Sequence, residues 1–295
     1  MPKGQIRKAL SGFYYIYHEG ETYQTRGRGN FRNRNITPLV GDWVEFESSN
    51  LTDGYVLDVF ERENELIRPA VANIDLGVVV TSCVKPNFSF NLLDRFLVTL
   101  ESKKIQPIIY ITKLDLATEE IKAEMANVKK YYESVGYPVL YSESGNTDNL
   151  TAYFKDKLTV FMGQSGAGKS TLLNKIAPSL DLEVGDISEA LGRGRHTTRH
   201  VELIELNGGL VADTPGFSSI EFLEMSLEEL PKYFPEFLEA SEFCKFRECM
   251  HHKEPKCEVK HRLEEGNILQ SRYDNYLQFY EEIKTRKPKY NKKEK

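Results

Sequence analysis

The feature that most constrains this chain is Gly163-Gln164-Ser165-Gly166-Ala167-Gly168-Lys169-Ser170, set between the apolar run Leu158 to Met162 and the helix-like stretch Ser170 to Ile176. A glycine-rich octapeptide ending in Lys-Ser, entered from a strand and left by a helix, is the pattern of a phosphate-binding P-loop. The glycines let the loop fold with its N–H groups toward phosphate oxygens, and the helix N-terminus adds favourable partial charge. Lys169 is expected to neutralise β- and γ-phosphates. Ser170 is expected to ligate Mg²⁺, with Thr171 beside it at the nucleotide.

The pattern around this loop is that of a parallel sheet covered on both faces: short apolar runs alternating with helical periodicity. The runs are Leu76 to Val84, Pro107 to Thr112, Pro138 to Tyr141, Leu158 to Met162, Val201 to Leu206 and Leu210 to Ala212. Ile121, Met125, Val128, Tyr132 and Val135 form one helical stripe, and Leu93, Phe96, Leu97 and Leu100 another. Before this region, Gly12 to Tyr17 and Trp43 to Glu47 alternate apolar and polar residues between Gly, Asn and Asp turns, as in a small β-barrel. After Phe222 come a Cys/His cluster and a helix striped by Leu269, Tyr273, Tyr276, Leu277, Tyr280 and Ile283. The expected organisation is multidomain α/β: a barrel over 1–67, a P-loop domain over 68–222, and a helical metal-binding module with a basic tail over 223–295.

Two strand ends ahead of the P-loop bear on the choice of base. Thr112-Lys113-Leu114-Asp115 closes an apolar run, so Asp115 falls at the carboxyl edge where open α/β sheets bind ligands. A carboxylate there accepts from guanine N1–H and the 2-amino group, donors that adenine does not offer as a pair. The Lys113 stem can lie over the purine. Ser142-Glu143-Ser144 ends another strand, where a backbone N–H could reach the base oxygen. A solvated Lys-x-Asp at a strand end gives the same string, which leaves a P-loop ATPase or kinase as a competing reading.

Downstream, Leu210 to Gly216 is a strand ending in Asp213, suited to hold Mg²⁺ through water, with the Gly216 N–H free for the γ-phosphate. Read together, the set resembles the GTPase motifs in the circularly permuted order base, base, phosphate, switch, switch. Between the P-loop helix and the Asp213 strand lies Gly192-Arg193-Gly194-Arg195-His196-Thr197-Thr198. Thr198 is the expected Mg²⁺ ligand there, with Thr197 as the alternative. Phe217 stands where a Ras-like enzyme carries a water-orienting Gln. His196 is the nearest substitute in sequence, while an RNA contact or simple packing would also account for it. Slow hydrolysis, accelerated by a partner that orders this loop, is the expectation.

Cys244, Cys249, His251 and Cys257 supply three thiolates and an imidazole, a closed tetrahedral set for one structural Zn²⁺; spacing alone does not separate His251 from His252. Cys83, alone in an apolar stretch, is expected in the core. The net charge of −5 argues against a simple nucleic-acid coat, yet Arg26, Arg28, Arg32 and Arg34, interleaved with Tyr23 and Phe31, suit a barrel face that meets RNA. A solvated charged loop reads the same way. No apolar run approaches a bilayer span and no export signal is visible, so a cytosolic protein with no membrane role is expected.

Barrel, permuted GTPase and Cys₃His module together resemble the bacterial ribosome small subunit-dependent GTPase A family across nearly the whole chain. The residues that carry the resemblance are Thr112 to Asp115, Gly163 to Ser170, Gly194 to Thr198, Asp213 to Gly216 and the four metal-site residues. It implies an OB-fold at the N-terminus, GTP hydrolysis stimulated by the small (30S) subunit late in its maturation, 16S rRNA contact through both flanking domains, a monomer, and His196 acting on water. The family usually has Asn at the position of Thr112, so the expectation here is a base loop held without that amide. The reading from a different class is an RNA-binding assembly module that uses GTP only as a binding switch.

Overall fold

The computed structural model describes residues 1–28, 31, 34, 36–142, 146–178, 201–213 and 225–286. Strands β1 (Lys3–Leu10), β2 (Phe13–His18), β3 (Glu21–Gly27), β4 (Trp43–Asn50) and β5 (Asp53–Val59) follow the period-two pattern expected of them. They close as 1-2-3-5-4-1, with only the β3–β5 pair parallel. Ile6, Ile16, Val44, Phe46 and Val56 fill the interior. In the arginine-rich stretch the two aromatic residues do not face outward as expected. Phe31 is buried and Tyr23 packs on Phe46 inside the barrel, while Arg28 and Arg34 are bridged to Glu47 and Asp58. Arg32 lies outside the described residues.

A short ribbon, β6 (Glu65–Leu66) with β7 (Val71–Ala72), leads into the α/β unit. Its elements are β8 (Leu76–Ser82), α1 (Phe90–Ser102), β9 (Gln106–Thr112), α2 (Glu119–Ser134), β10 (Val139–Tyr141), α3 (Asn146–Thr151), β11 (Leu158–Met162), α4 (Lys169–Ile176), β12 (Glu202–Leu206) and β13 (Gly209–Asp213). Ser89 and Thr118 cap α1 and α2 by accepting from the N–H groups of Leu92 and Ile121. The sheet order is β10-β9-β8-β11-β13-β12, parallel except for β12. The P-loop strand β11 is thus central, flanked by β8, which precedes it in the chain, and β13, which follows. Permuted order leaves strand adjacency intact, as expected from the motifs.

β12 is also the seam to the barrel. It pairs with β1 at Lys8↔Glu202, which makes barrel and α/β sheet one hydrogen-bonded assembly of eleven strands. Lys8 and Arg7 bridge Glu202 and Glu205 at 2.7 and 2.6 Å across this seam.

The C-terminal module comprises α5 (Pro235–Ser241), α6 (Glu258–Glu264) and α7 (Gln270–Thr285) around Phe234, Phe237, Tyr276 and Phe279. It is anchored to the α/β unit by a buried cation. Arg272 of α7, with no exposed surface, meets Asp94 of α1 at 2.6 Å and Glu236 of α5 at 2.7 Å. Tyr132 and Asn275 donate to the same Asp94 carboxylate at 2.7 and 2.6 Å. Burial alone would lower the guanidinium pKa, but Asp94 and Glu236 outweigh it and hold the group well above its ordinary value.

Candidate functional site

β11 delivers the chain to Gly163 at φ 141°, where a Cβ would sit 2.0 Å from the Val80 carbonyl oxygen of β8. Only glycine passes that point. Gly168, at φ 94°, caps α4, and Ala167 N–H closes a turn on Gln164 O at 3.2 Å. Lys169 follows, 8% exposed, with its ammonium donating to the carbonyls of Gly163 and Gln164 at 2.7 and 2.8 Å. Burial lowers its pKa to about 8. The loop therefore holds a desolvated cation whose partners among the described residues are backbone dipoles.

The base loop lies directly across this one. Thr112 Oγ1 donates to Ala167 O at 2.6 Å, and Lys113, left-handed at φ 63°, donates from Nζ to Gly166 O at 2.8 Å and to Lys85 O. The Thr112 hydroxyl thus ties base loop to P-loop without an amide. Cys83, buried as expected, donates to Thr112 O at 3.1 Å from behind. Asp115 lies in the single 3₁₀ turn Leu114–Leu116, exposed at the mouth of a cleft of about 670 Å³ that Thr112, Lys113, Ser142, Gly168 and Thr171 also line. One cleft therefore joins both base motifs to the P-loop.

Sequence reasoning missed Lys122, Tyr141 and Lys175, which line the same cleft. Lys175 was within reach, because it follows Thr171 by one helical turn and shares its face. Lys122 belongs to α2 and has no local signal linking it to the loop. Ser170 stands in the first turn of α4, and β13 brings the backbone to Asp213, beside β11 in the sheet. Glu143, His196, Thr198, Gly216 and Phe217 lie outside the described residues.

The metal candidates do converge. The donor atoms of Cys244, Cys249, His251 and Cys257 lie within 4.8 Å of one another, His251 Nδ1 being 3.3 Å from Cys257 Sγ and 3.7 Å from Cys244 Sγ. A tetrahedral ion with thiolate bonds of about 2.3 Å needs separations of this size. His251 turns in at φ 54° and is 1% exposed, whereas the His252 ring packs on Tyr280. Burial raises the Cys249 thiol to about 12 and lowers His251 to about 4, so the imidazole is a neutral donor. The Glu258 N–H points at Cys244 Sγ from 3.3 Å, a second-layer donor to a thiolate. This set fits a closed structural zinc site.

Comparison with known proteins agrees with this architecture. The family model for the RsgA GTPase matches residues 59–223, and that for the RsgA N-terminal domain matches residues 3–56. The chain is 67% identical to the small ribosomal subunit biogenesis GTPase RsgA of Enterococcus faecalis, covering 99% of this chain and 98% of that one. It is 55% identical to the protein of that name from Halalkalibacterium halodurans, over 97% and 98% of the two chains. Among solved structures it resembles YloQ, described as a circularly permuted GTPase, at TM-score 0.83 and 49% identity over 98% and 97% of the chains. YjeQ from Thermotoga maritima follows the same course at TM-score 0.84 and 33% identity, over 97% and 99%.

Proposed function

This chain belongs to the RsgA GTPase family, and on that premise we propose that it couples GTP hydrolysis to late maturation of the small (30S) ribosomal subunit. The observation that carries the proposal is the single cleft in which Asp115, Ser142 and the P-loop meet, with Thr112 and Lys113 bonded to P-loop carbonyls. Guanine is read there by Asp115, with Lys113 along the ring and backbone groups at Ser142 and Glu143 near the base oxygen. Gly163 to Thr171 cradle the phosphates. Lys169 leaves its two carbonyls for the β- and γ-phosphates, and Gly216 N–H meets the γ-phosphate. Ser170, Thr198 and Asp213 would hold Mg²⁺, which would supply charge neutralisation to the phosphates. His196 orients the attacking water in place of the glutamine absent at Phe217.

Residues 1–67, 68–222 and 223–295 act as barrel, GTPase and zinc module. The two outer units hold 16S rRNA, and Cys244, Cys249, His251 and Cys257 hold one Zn²⁺ that keeps the last unit folded. The protein works as a cytoplasmic monomer. Among the described residues no helix is long and apolar enough to cross a membrane.

GTP turnover by the purified protein, with small subunits, with large subunits and alone, tests the proposal. Stimulation by small subunits only, abolished by Lys169→Ala, is the expected result. Small-subunit binding that depends on GTP but does not accelerate turnover would replace the stimulated enzyme with a passive nucleotide switch.

A further inference from the structure

Among the described residues β12 pairs with the barrel at Lys8↔Glu202 and nowhere else. On the same side β1 gives Lys3, Gly4 and Gln5 to β4, so β4 and β12 diverge from a shared neighbour. The opening between them is a cleft of about 820 Å³ at the amino ends of β8, β11 and β13, the end of the sheet opposite the P-loop. Trp43 and Phe60 form its barrel wall, and Leu158, Glu205 and Leu210 stand on the other.

The backbone of β12 has bonds to give on that side. Asn207 at φ 49° and Gly208 at φ 74° make a two-residue turn into β13, so Leu206↔Gly209 and Ile204↔Val211 are the hydrogen-bonded pairs. Glu205 and Leu210 between them point their N–H and C=O groups away from each other. Leu210 does so visibly, its N–H donating to Lys157 O at 2.9 Å. The corresponding groups of Glu205 face the cleft, and no backbone group of the described residues meets them.

The walls select the chemistry of what pairs there. The Lys3 ammonium sits between Trp43 and Phe60, 5.0 and 4.9 Å from the ring centres, and both rings are more than 40% exposed. This ring pair already cradles an alkylammonium. Glu61, Glu63 and Asp156 line the cleft without an ion pair among the described residues. The cations beside them are engaged, Arg7 by Glu205 at 2.6 Å and Lys157 by Gln106 at 2.7 Å.

We propose that this cleft docks an extended basic peptide segment of a protein partner, added beside β12 as a further strand. Its backbone exchanges bonds with Glu205, and a Lys or Arg side chain enters between Trp43 and Phe60 in exchange for Lys3, its charge met by Glu61 and Glu63. Alternate side chains of such a strand face the same wall, so a segment with a basic residue at every second position fits best. Nucleic acid would bring its phosphates against these carboxylates, and a polyamine would leave the Glu205 backbone unused.

Trp43 is the only tryptophan of the chain, so its emission reports on the cleft. The probe is a blocked peptide of about seven residues alternating valine and lysine, titrated into the full chain and followed in parallel by calorimetry. Saturable binding with a change in Trp43 emission is expected. Methylating the probe's backbone nitrogens along one edge removes its donors and weakens it about tenfold, and glutamate in place of its lysines abolishes binding. In the protein, Glu205→Pro deletes an N–H that faces only the cleft and weakens the probe about fivefold relative to Glu205→Gln. Glu61→Gln together with Glu63→Gln weakens it about fivefold through lost charge. Unchanged GDP affinity and urea midpoint show that the variants are folded. Should Glu205→Pro fail to fold, the methylated probe makes the same test from the ligand's side. Absence of binding overturns the docking site. A methylated probe that binds undiminished, or spermidine that displaces the probe at equal charge concentration, overturns strand addition. Competition by oligo(U) would assign the cleft to nucleic acid instead.

Discussion

Lys169 in the P-loop and Arg272 at the foot of the C-terminal module are both buried cations, and the protein treats them in opposite ways. Arg272 is met by two carboxylates, which outweigh its burial and keep it charged. Among the described residues Lys169 has two backbone carbonyls and no acid as partners, and its pKa falls to about 8. A buried charge that is fully partnered fixes one helix on another. One held by backbone dipoles keeps its charge available to an anion.

The sharpest way to break this comparison is to remove each cation. Lys169→Ala is expected to lower GTP turnover by at least about 10²–10³-fold, the range for deleting one transition-state donor, with a melting temperature equal to or above that of the parent. A clear drop in melting temperature would show that Lys169 also has a structural role. Arg272→Met should do the reverse. It leaves Asp94 and Glu236 buried without a counter-charge and costs about 3–5 kcal/mol in urea unfolding, while the protein that remains folded binds GDP normally. Adding Asp94→Asn and Glu236→Gln should recover much of that loss; failure to recover would mean that the guanidinium matters for shape more than charge.

A pH titration sharpens the contrast further. Phosphates raise the Lys169 pKa from about 8 in the free loop, so binding takes up a proton above that pH and affinity falls as pH rises. GDP affinity should be nearly flat from pH 6.5 to 7.5 and about tenfold weaker at pH 9, with proton uptake visible by calorimetry in buffers of different ionisation heat. A flat profile to pH 9 would contradict the lowered pKa. The smallest effect concerns the tie between the loops. Thr112→Val should weaken GDP and GTP equally, by about five- to tenfold for one buried hydrogen bond, Thr112→Ser should restore them, and the preference for guanine over adenine should persist through Asp115.

The sequence disclosed what is periodic and local, and little of what depends on distant partners. Leu158–Met162 emerged with the boundaries expected of it, because a strand buried on both faces is an apolar run with a glycine stop. The four metal-site residues were legible from spacing, but the choice of His251 required the left-handed turn that aims it inward. Thr112 looked like the loss of an amide, since its acceptor on Ala167 lies 55 residues away. Arg272 gave no signal at all. Between Leu269 and Tyr273 it reads as a polar residue beside an apolar stripe, and its carboxylate partners lie 36 and 178 residues off. The basic stretch misled because composition does not tell which way Tyr23 and Phe31 point, and both point into the barrel.

The central place of β11 has a consequence for how the chain is made. During synthesis β8, β9 and β10 leave the ribosome before it, so β8 waits with one edge unpaired until β11 arrives, and β11 in turn waits for β13. Some 130 residues separate the end of β8 from the end of β13, roughly 7–26 s at ordinary rates of translation. The base-reading half of the pocket is born first and the phosphate-binding half last, so a nascent chain of this protein cannot hold nucleotide until nearly three quarters of it has been translated.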